Sequence, residues 1–120
     1  MNDKSYEPRL LVFLASPYRA DDLEGYVRNL AYLHDCMQDS IKKHEAPFAP
    51  HAMYTKFLTE SDKARAQGVG CGLNWVEAAD VFVAYVDLGI TEGMQLEIDE
   101  AFAHGLDVEQ RRLGGKWKTK

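Results

Sequence analysis

Three short apolar runs separated by longer amphipathic stretches set the plan of this chain. Leu10 to Ala15 (LLVFLA) is continuously apolar and stops at Ser16-Pro17-Tyr18, as a strand buried on both faces does where it enters a loop. Ala46 to Pro50 (APFAP) reads as a second, shorter strand, held extended by its two prolines. Asp80 to Val86 (DVFVAYV) is the third. Between the first two, Leu23, Val27, Leu30, Ala31, His34, Met37 and Ile41 recur at spacings of three and four, the period of an amphipathic helix. Asp21 or Asp22 is placed to cap that helix, and the positive cluster Lys42-Lys43-His44 suits its C-terminal dipole. The stripe makes His34 a hydrogen-bonded packing residue.

Further along, residues 52 to 67 read as a polar, helical connection with a turn near Thr59-Glu60-Ser61. Val69, Leu73, Val76 and Ala79 then give a helix leading into the third strand. A last helix spans about Glu92 to His104 and stops at Gly105, a residue suited to the C′ position. Leu106 to Leu113 alternates apolar and charged residues like a short edge strand. Strands alternating with helices imply parallel pairing with right-handed crossovers. The expected class is therefore α/β, a flavodoxin-like or Rossmann-like three-layer sandwich on a small parallel sheet. One domain is expected over 1–113, with a flexible tail over 114–120.

Composition narrows the function. The 120 residues suffice for one domain, and 46% hydrophobic with 28% charged residues suits a packed globular unit. A net charge of −5 argues against a partner such as a nucleic acid polymer, yet leaves room for a small anion held by one arginine and a few N–H groups. No run approaches the ~20 apolar residues a membrane span needs, and the N-terminus is polar, so a cytoplasmic protein is expected. Cys36 and Cys71 form neither a disulfide framework nor a zinc site, and both read as buried thiols. His34, His44, His51 and His104 lack metal-ligand spacing, so neither metal nor cofactor is expected.

Candidate chemistry gathers at the C-terminal ends of the strands, where open α/β sheets bind ligands. Ser16, Pro17, Tyr18 and Arg19 occupy the first strand-to-helix loop, where N–H groups can hold an anion and Arg19 can add a bidentate contact. The bland alternative is an ordinary loop with a stacked tyrosine. His51, at the same edge, is either a ligand contact or a cap for the next segment. After the third strand comes Thr91-Glu92-Gly93-Met94-Gln95-Leu96-Glu97. Glu97, flanked on its helix face by Gly93, Met94 and Ala101, is a nucleophile, a sugar-hydroxyl ligand or a solvated helix residue. The field of the helix N-terminus is expected to keep it ionised. Gly68-Val69-Gly70-Cys71-Gly72 follows a polar helical segment rather than a strand, so close helix packing explains its glycines better than phosphate binding.

Taken together, LASPYRA, APFAPH, the Leu73/Trp75 helix ahead of ADVFVAYV, and TEGMQLEIDEA resemble the nucleoside 2-deoxyribosyltransferase-like superfamily, above all its short bacterial and phage members. The resemblance spans roughly residues 9 to 108. It implies a flavodoxin-like fold and chemistry at a nucleoside or nucleotide N-glycosidic bond, with Glu97 as the nucleophile that forms a glycosyl-enzyme intermediate. It also implies sugar or phosphate contacts at Thr91 and Ser16, with Tyr18, Arg19, His51, Gly93 and Met94 shaping the site. Two positions depart from the pattern. Gly72 stands where the family carries the Asp that helps protonate the leaving base, and the first-strand tyrosine falls near Val12 or Phe13.

The expected function is thus a (deoxy)ribosyltransferase or N-glycosidase acting on a small nucleoside or nucleotide. The alternatives are a non-catalytic nucleotide-binding sensor or sequestering protein, or a purely structural interaction domain. A homo-oligomer, a dimer or larger, is expected, with Tyr54, Trp75 and Trp117 as candidate contacts.

Overall fold

A computed structural model describes residues 7–54 and 61–118, and all structural statements below refer to these. The turn expected near residues 59–61 falls largely outside them. Four strands, β1 (Leu10–Ala15), β2 (Glu45–Phe48), β3 (Val81–Tyr85) and β4 (Val108–Arg111), form one sheet of order β2-β1-β3-β4. Every pairing is parallel, with Phe13 registered on both Phe48 and Phe82, and Tyr85 on Arg111. The helices are α1 (Leu23–Lys42), α2 (Pro50–Tyr54), α3 (Asp62–Leu73) and α4 (Glu92–Ala103).

Successive side chains of a strand point to opposite faces, and here both faces are covered. Val12, Leu14, Val83 and Tyr85 pack against Tyr32, Leu33 and Cys36 of α1. Phe13, Ala15, Phe82 and Ala84 pack against Val76 and against Met94, Ile98 and Ala101 of α4. That two-sided burial is why β1 and β3 are continuous apolar runs rather than alternating ones. The result is the three-layer α/β sandwich expected. Asp22 caps α1 by accepting from the Gly25 N–H at 2.7 Å. Gly105, at φ 72°, closes α4 in the left-handed conformation, and the Leu106 N–H reaches back to the Ala101 carbonyl.

Several expectations are corrected. First, α1 does not turn its apolar stripe inward. Leu23, Val27, Leu30 and Ile41 are 79%, 58%, 51% and 49% exposed, and His34 is exposed beside Asp35. The inward face carries Asn29, Tyr32, Leu33, Cys36 and Ser40. Its polar members are tolerated because each is hydrogen-bonded, Asn29 to the Tyr18 and Arg19 carbonyls, Tyr32 to Asp87 and Ser40 to Glu45. Second, the helix before β3 is not continuous. α3 runs through the glycines, ends at Leu73, and gives way after a turn to a 3-10 segment, Val76–Ala78. Strand β2 also starts and stops earlier than expected, so that Pro50 and His51 open α2 instead.

Third, the C-terminal residues up to Lys118 are docked rather than free. The buried Asp87 carboxylate accepts from the Tyr32 hydroxyl (2.6 Å) and from the Leu113 and Gly114 N–H groups (2.8 and 3.0 Å). Trp117, in a 3-10 turn over Gly115–Trp117, packs edge-on against Tyr32 and donates its indole N–H to Asp35 at 2.8 Å. It is turned inward rather than offered as an oligomer contact. Fourth, Cys36 is buried as expected but Cys71 is exposed. Beneath α1, Arg111 of one edge strand forks onto Glu45 of the other at 2.8 and 2.7 Å, with the Tyr85 hydroxyl donating to Asp39 beside it. No described helix is long and apolar enough to cross a membrane.

Candidate functional site

The parallel sheet places the ends of β1, β2 and β3 along one edge, and each end delivers a polar residue there. Ser16 follows β1 directly and is buried. His51 is the second residue of α2, after β2. The two meet, with Ser16 Oγ 3.0 Å from His51 Nε2. Tyr18 lies edge-on to the His51 ring at 6.4 Å between centroids and edge-on to Tyr26 at 5.5 Å. Asn29 steadies this loop by donating to the Tyr18 and Arg19 carbonyls at 3.0 and 3.4 Å. Pro17 is buried, and Arg19 is exposed at the rim.

From β3 the chain passes through a short loop to Thr91, whose hydroxyl caps α4 by accepting from the Met94 N–H at 3.2 Å. That hydroxyl keeps its own proton to donate elsewhere. Met94 itself is 2% exposed and belongs to the core, so its side chain is a wall under the site rather than a surface contact. Gly93 is half-buried, and its missing side chain leaves open the space beside Thr91.

Glu97 lies three residues after Met94 and four before Ala101, on the helix face turned toward the sheet. Its carboxyl is consequently withdrawn from water, and burial pushes its pKa up to about 8. This corrects the expectation of an ionised side chain. The helix N-terminus acts mainly over the first turn, and at Glu97 desolvation outweighs it. His51 shows the mirror effect, since burial lowers its pKa to about 4 and leaves the imidazole neutral at pH 7. The edge thus brings together a neutral histidine joined to a serine with a tyrosine beside it, while Thr91 starts α4 after β3 and Glu97 lies six residues further along that helix. Strongly shifted titratable groups of this kind are enriched at functional sites.

Gly72 lies where α3 touches α2. A Cβ built there would come within 3.0 Å of the Pro50 side chain, so the packing role read from the sequence holds at this glycine. Nothing lies within 4 Å of the corresponding point at Gly70. An open groove of about 590 Å³ next to α3 is lined by Tyr54, Cys71, Asn74, Trp75, Glu77 and Ala78. None of the edge residues described above lines it, and the chemistry argues for the edge over the groove. Asn29 and Asp87, which brace the loop and the end of β3, were not singled out in the sequence. The one signal was that Asp87 ends an apolar strand that then has to turn.

Comparison with known proteins fits this architecture. No curated protein sequence matches the chain. Among solved structures, a 2-deoxyribosyltransferase from Bacillus psychrosaccharolyticus superposes with a TM-score of 0.57 at 16% identity, over 88% of this chain and 74% of its own. The CMP N-glycosidase BcmB from Clostridium botulinum superposes with a TM-score of 0.54, also at 16% identity, over 85% of this chain and 71% of its own. At such identities the likeness establishes the fold, a nucleoside 2-deoxyribosyltransferase-like one. Residues 10–111, from the first residue of β1 to the last of β4, match a family sequence profile, and the chain belongs to that family, described as Domain of unknown function (DUF7768).

Proposed function

We propose that this chain binds a small nucleoside or nucleotide at the edge formed by Ser16, His51 and Thr91 and breaks its N-glycosidic bond through Glu97. The observation that carries the reading is the position of Glu97, a carboxyl kept out of water on the helix that starts from this edge. In the first step a Glu97 oxygen bonds to the anomeric carbon while the C–N bond breaks, its electron pair leaving with the base, which takes up a proton from solvent. In the second, water or an acceptor base attacks the same carbon, frees the carboxylate and gives up a proton. Two inversions give net retention. Ser16, Thr91 and Arg19 supply donors for sugar or phosphate, and Tyr18 and His51 form the wall against which the base lies.

Because the carboxyl must be ionised to attack, kcat/KM should rise with pH and level off above about 8. A rate that instead falls above that pH would reassign Glu97 as an acid. The direct test offers deoxynucleosides and their 5′-monophosphates, with and without acceptor bases, and follows base release by chromatography. Glu97→Ala should abolish release and leave ligand affinity within about tenfold, since the lost contact acts mainly in the transition state. Wild type that releases nothing above background would overturn the enzymatic reading.

One observation favours a second reading, a nucleotide-binding protein without catalysis. The glycine at position 72 supplies no acid, and Pro50 closes the space a side chain there would need. A nucleotide should then raise the melting temperature by mass action while base release stays at background.

A further inference from the structure

Asn29 is a polar side chain on the inward face of α1, only 1% exposed, where an apolar one would pack without needing partners. Its partners lie in the first strand-to-helix loop and beside it on α1. Nδ2 donates to the Tyr18 carbonyl at 3.0 Å and to the Arg19 carbonyl at 3.4 Å, while Oδ1 accepts from the Arg28 guanidinium at 3.2 and 3.4 Å. With carbonyls on one side and a guanidinium on the other, only one orientation of the amide satisfies both.

The consequence lies in the peptide groups that Asn29 holds. In an extended chain successive carbonyls point to opposite sides, yet those of Tyr18 and Arg19 converge on one nitrogen. No described peptide bond is cis, so each N–H points opposite to the carbonyl of its own peptide group. The N–H groups of Arg19 and Ala20 therefore both turn away from Asn29, side by side, and neither makes a hydrogen bond among the described residues. Successive N–H groups presented together form a concavity for an anion, and the exposed Arg19 side chain stands at its rim. Of the two acids that follow, Asp22 is spent on the Gly25 N–H. We propose that Asn29 is a positioning residue, which turns the Arg19 and Ala20 N–H groups outward as a seat for an oxyanion and so makes the sheet-edge site prefer a phosphorylated ligand to its uncharged counterpart. The assignment rests on the edge being a nucleoside or nucleotide site, and names which of the two that site prefers.

Titration calorimetry on the full chain tests it, with the common deoxynucleosides and their 5′-monophosphates as ligands. Wild type should bind a monophosphate about tenfold or more tightly than the matching deoxynucleoside, the worth of one charge-assisted hydrogen bond. Asn29→Leu keeps the shape and removes the donor, so the preference should fall to about threefold or less while deoxynucleoside affinity stays within a factor of about two. Asn29→Ser is smaller but can still donate, and should retain more of the preference than Asn29→Leu. A residue that only packs would rank the two the other way. Arg19→Gln changes an exposed side chain, should also lower the preference, and reports on the seat even if a substitution at position 29 unfolds the chain. An Asn29→Leu that loses both ligands equally, an Asn29→Ser no better than Asn29→Leu, or an Arg19→Gln with unchanged preference would each overturn the proposal. A wild type that binds deoxynucleosides and monophosphates alike overturns it and leaves the reading of the edge standing, whereas one that binds neither overturns both.

Discussion

At the scale of single residues, titration and close packing set the strongest expectations. Glu97 is neutral in the folded chain up to about pH 8, whereas an exposed glutamate ionises near 4.5. The folded state therefore holds a proton that the unfolded chain has lost, and stability falls as pH rises between these values. His51 works in the other direction, since its folded pKa is lowered to about 4. The stability it contributes is complete above about 6.5 and is lost as pH falls through 4. Glu97→Gln should flatten the alkaline loss, gaining a few kcal/mol at pH 9 at about 1.4 kcal/mol per unit of pKa shift, as denaturant melts across pH would measure. Gly70 and Gly72 of α3 make a paired test. Gly70→Ala meets open space and should stabilise by roughly 0.5–1 kcal/mol through helix propensity. Gly72→Ala pushes on the stiff Pro50 ring and should cost about 1 kcal/mol instead. If both raised the melting temperature, the α2–α3 contact would be looser than described.

At the scale of elements, most of the fold was legible in the sequence and one helix face was not. β1 and β3 announce themselves because burial on both sides leaves no polar alternation to confuse them. The order of strand, loop and helix is enough to put Ser16, His51 and Thr91 at the same end of the sheet. For α1, counting apolar residues selected the outward face, because the inward one is built from Asn29, Tyr32 and Ser40, whose polar atoms are satisfied by partners up to 55 residues away in sequence. Nothing local in a sequence reveals such a partner. The same holds for the protonation of Glu97, which depends on how α4 lies on the sheet and not on its distance from the helix start. Thr91 shows the opposite case, a cap readable from its place before an amphipathic run. Thr91→Ala should cost about 1 kcal/mol in thermal unfolding. It should also weaken any ligand that the hydroxyl proton serves, and an unchanged affinity would confine Thr91 to capping.

At the scale of the whole molecule, the closing contacts join parts that are distant along the chain. Arg111 on β4 holds Glu45 on β2, one edge of the sheet to the other, and Asp87 gathers Tyr32, Leu113 and Gly114 around one buried carboxylate. Ending the chain at Arg112 removes two N–H donors from Asp87 and strips Trp117 from Tyr32. It should cost about 3 kcal/mol or more in urea unfolding, and a loss under 1 kcal/mol would show the segment to be dispensable. Emergence from the ribosome puts these contacts in a fixed order. When β1, α1 and β2 have left the exit tunnel, Val12, Leu14 and Tyr32 have no β3 to lie beside, and when β3 has followed, Asp87 still waits for Leu113. The sheet can be sealed only after residues 108–117 have cleared the tunnel. A pause in translation shortly before that point would hold the nascent chain with its centre assembled, its last strand missing and the long edge of β3 bare to neighbouring polypeptides.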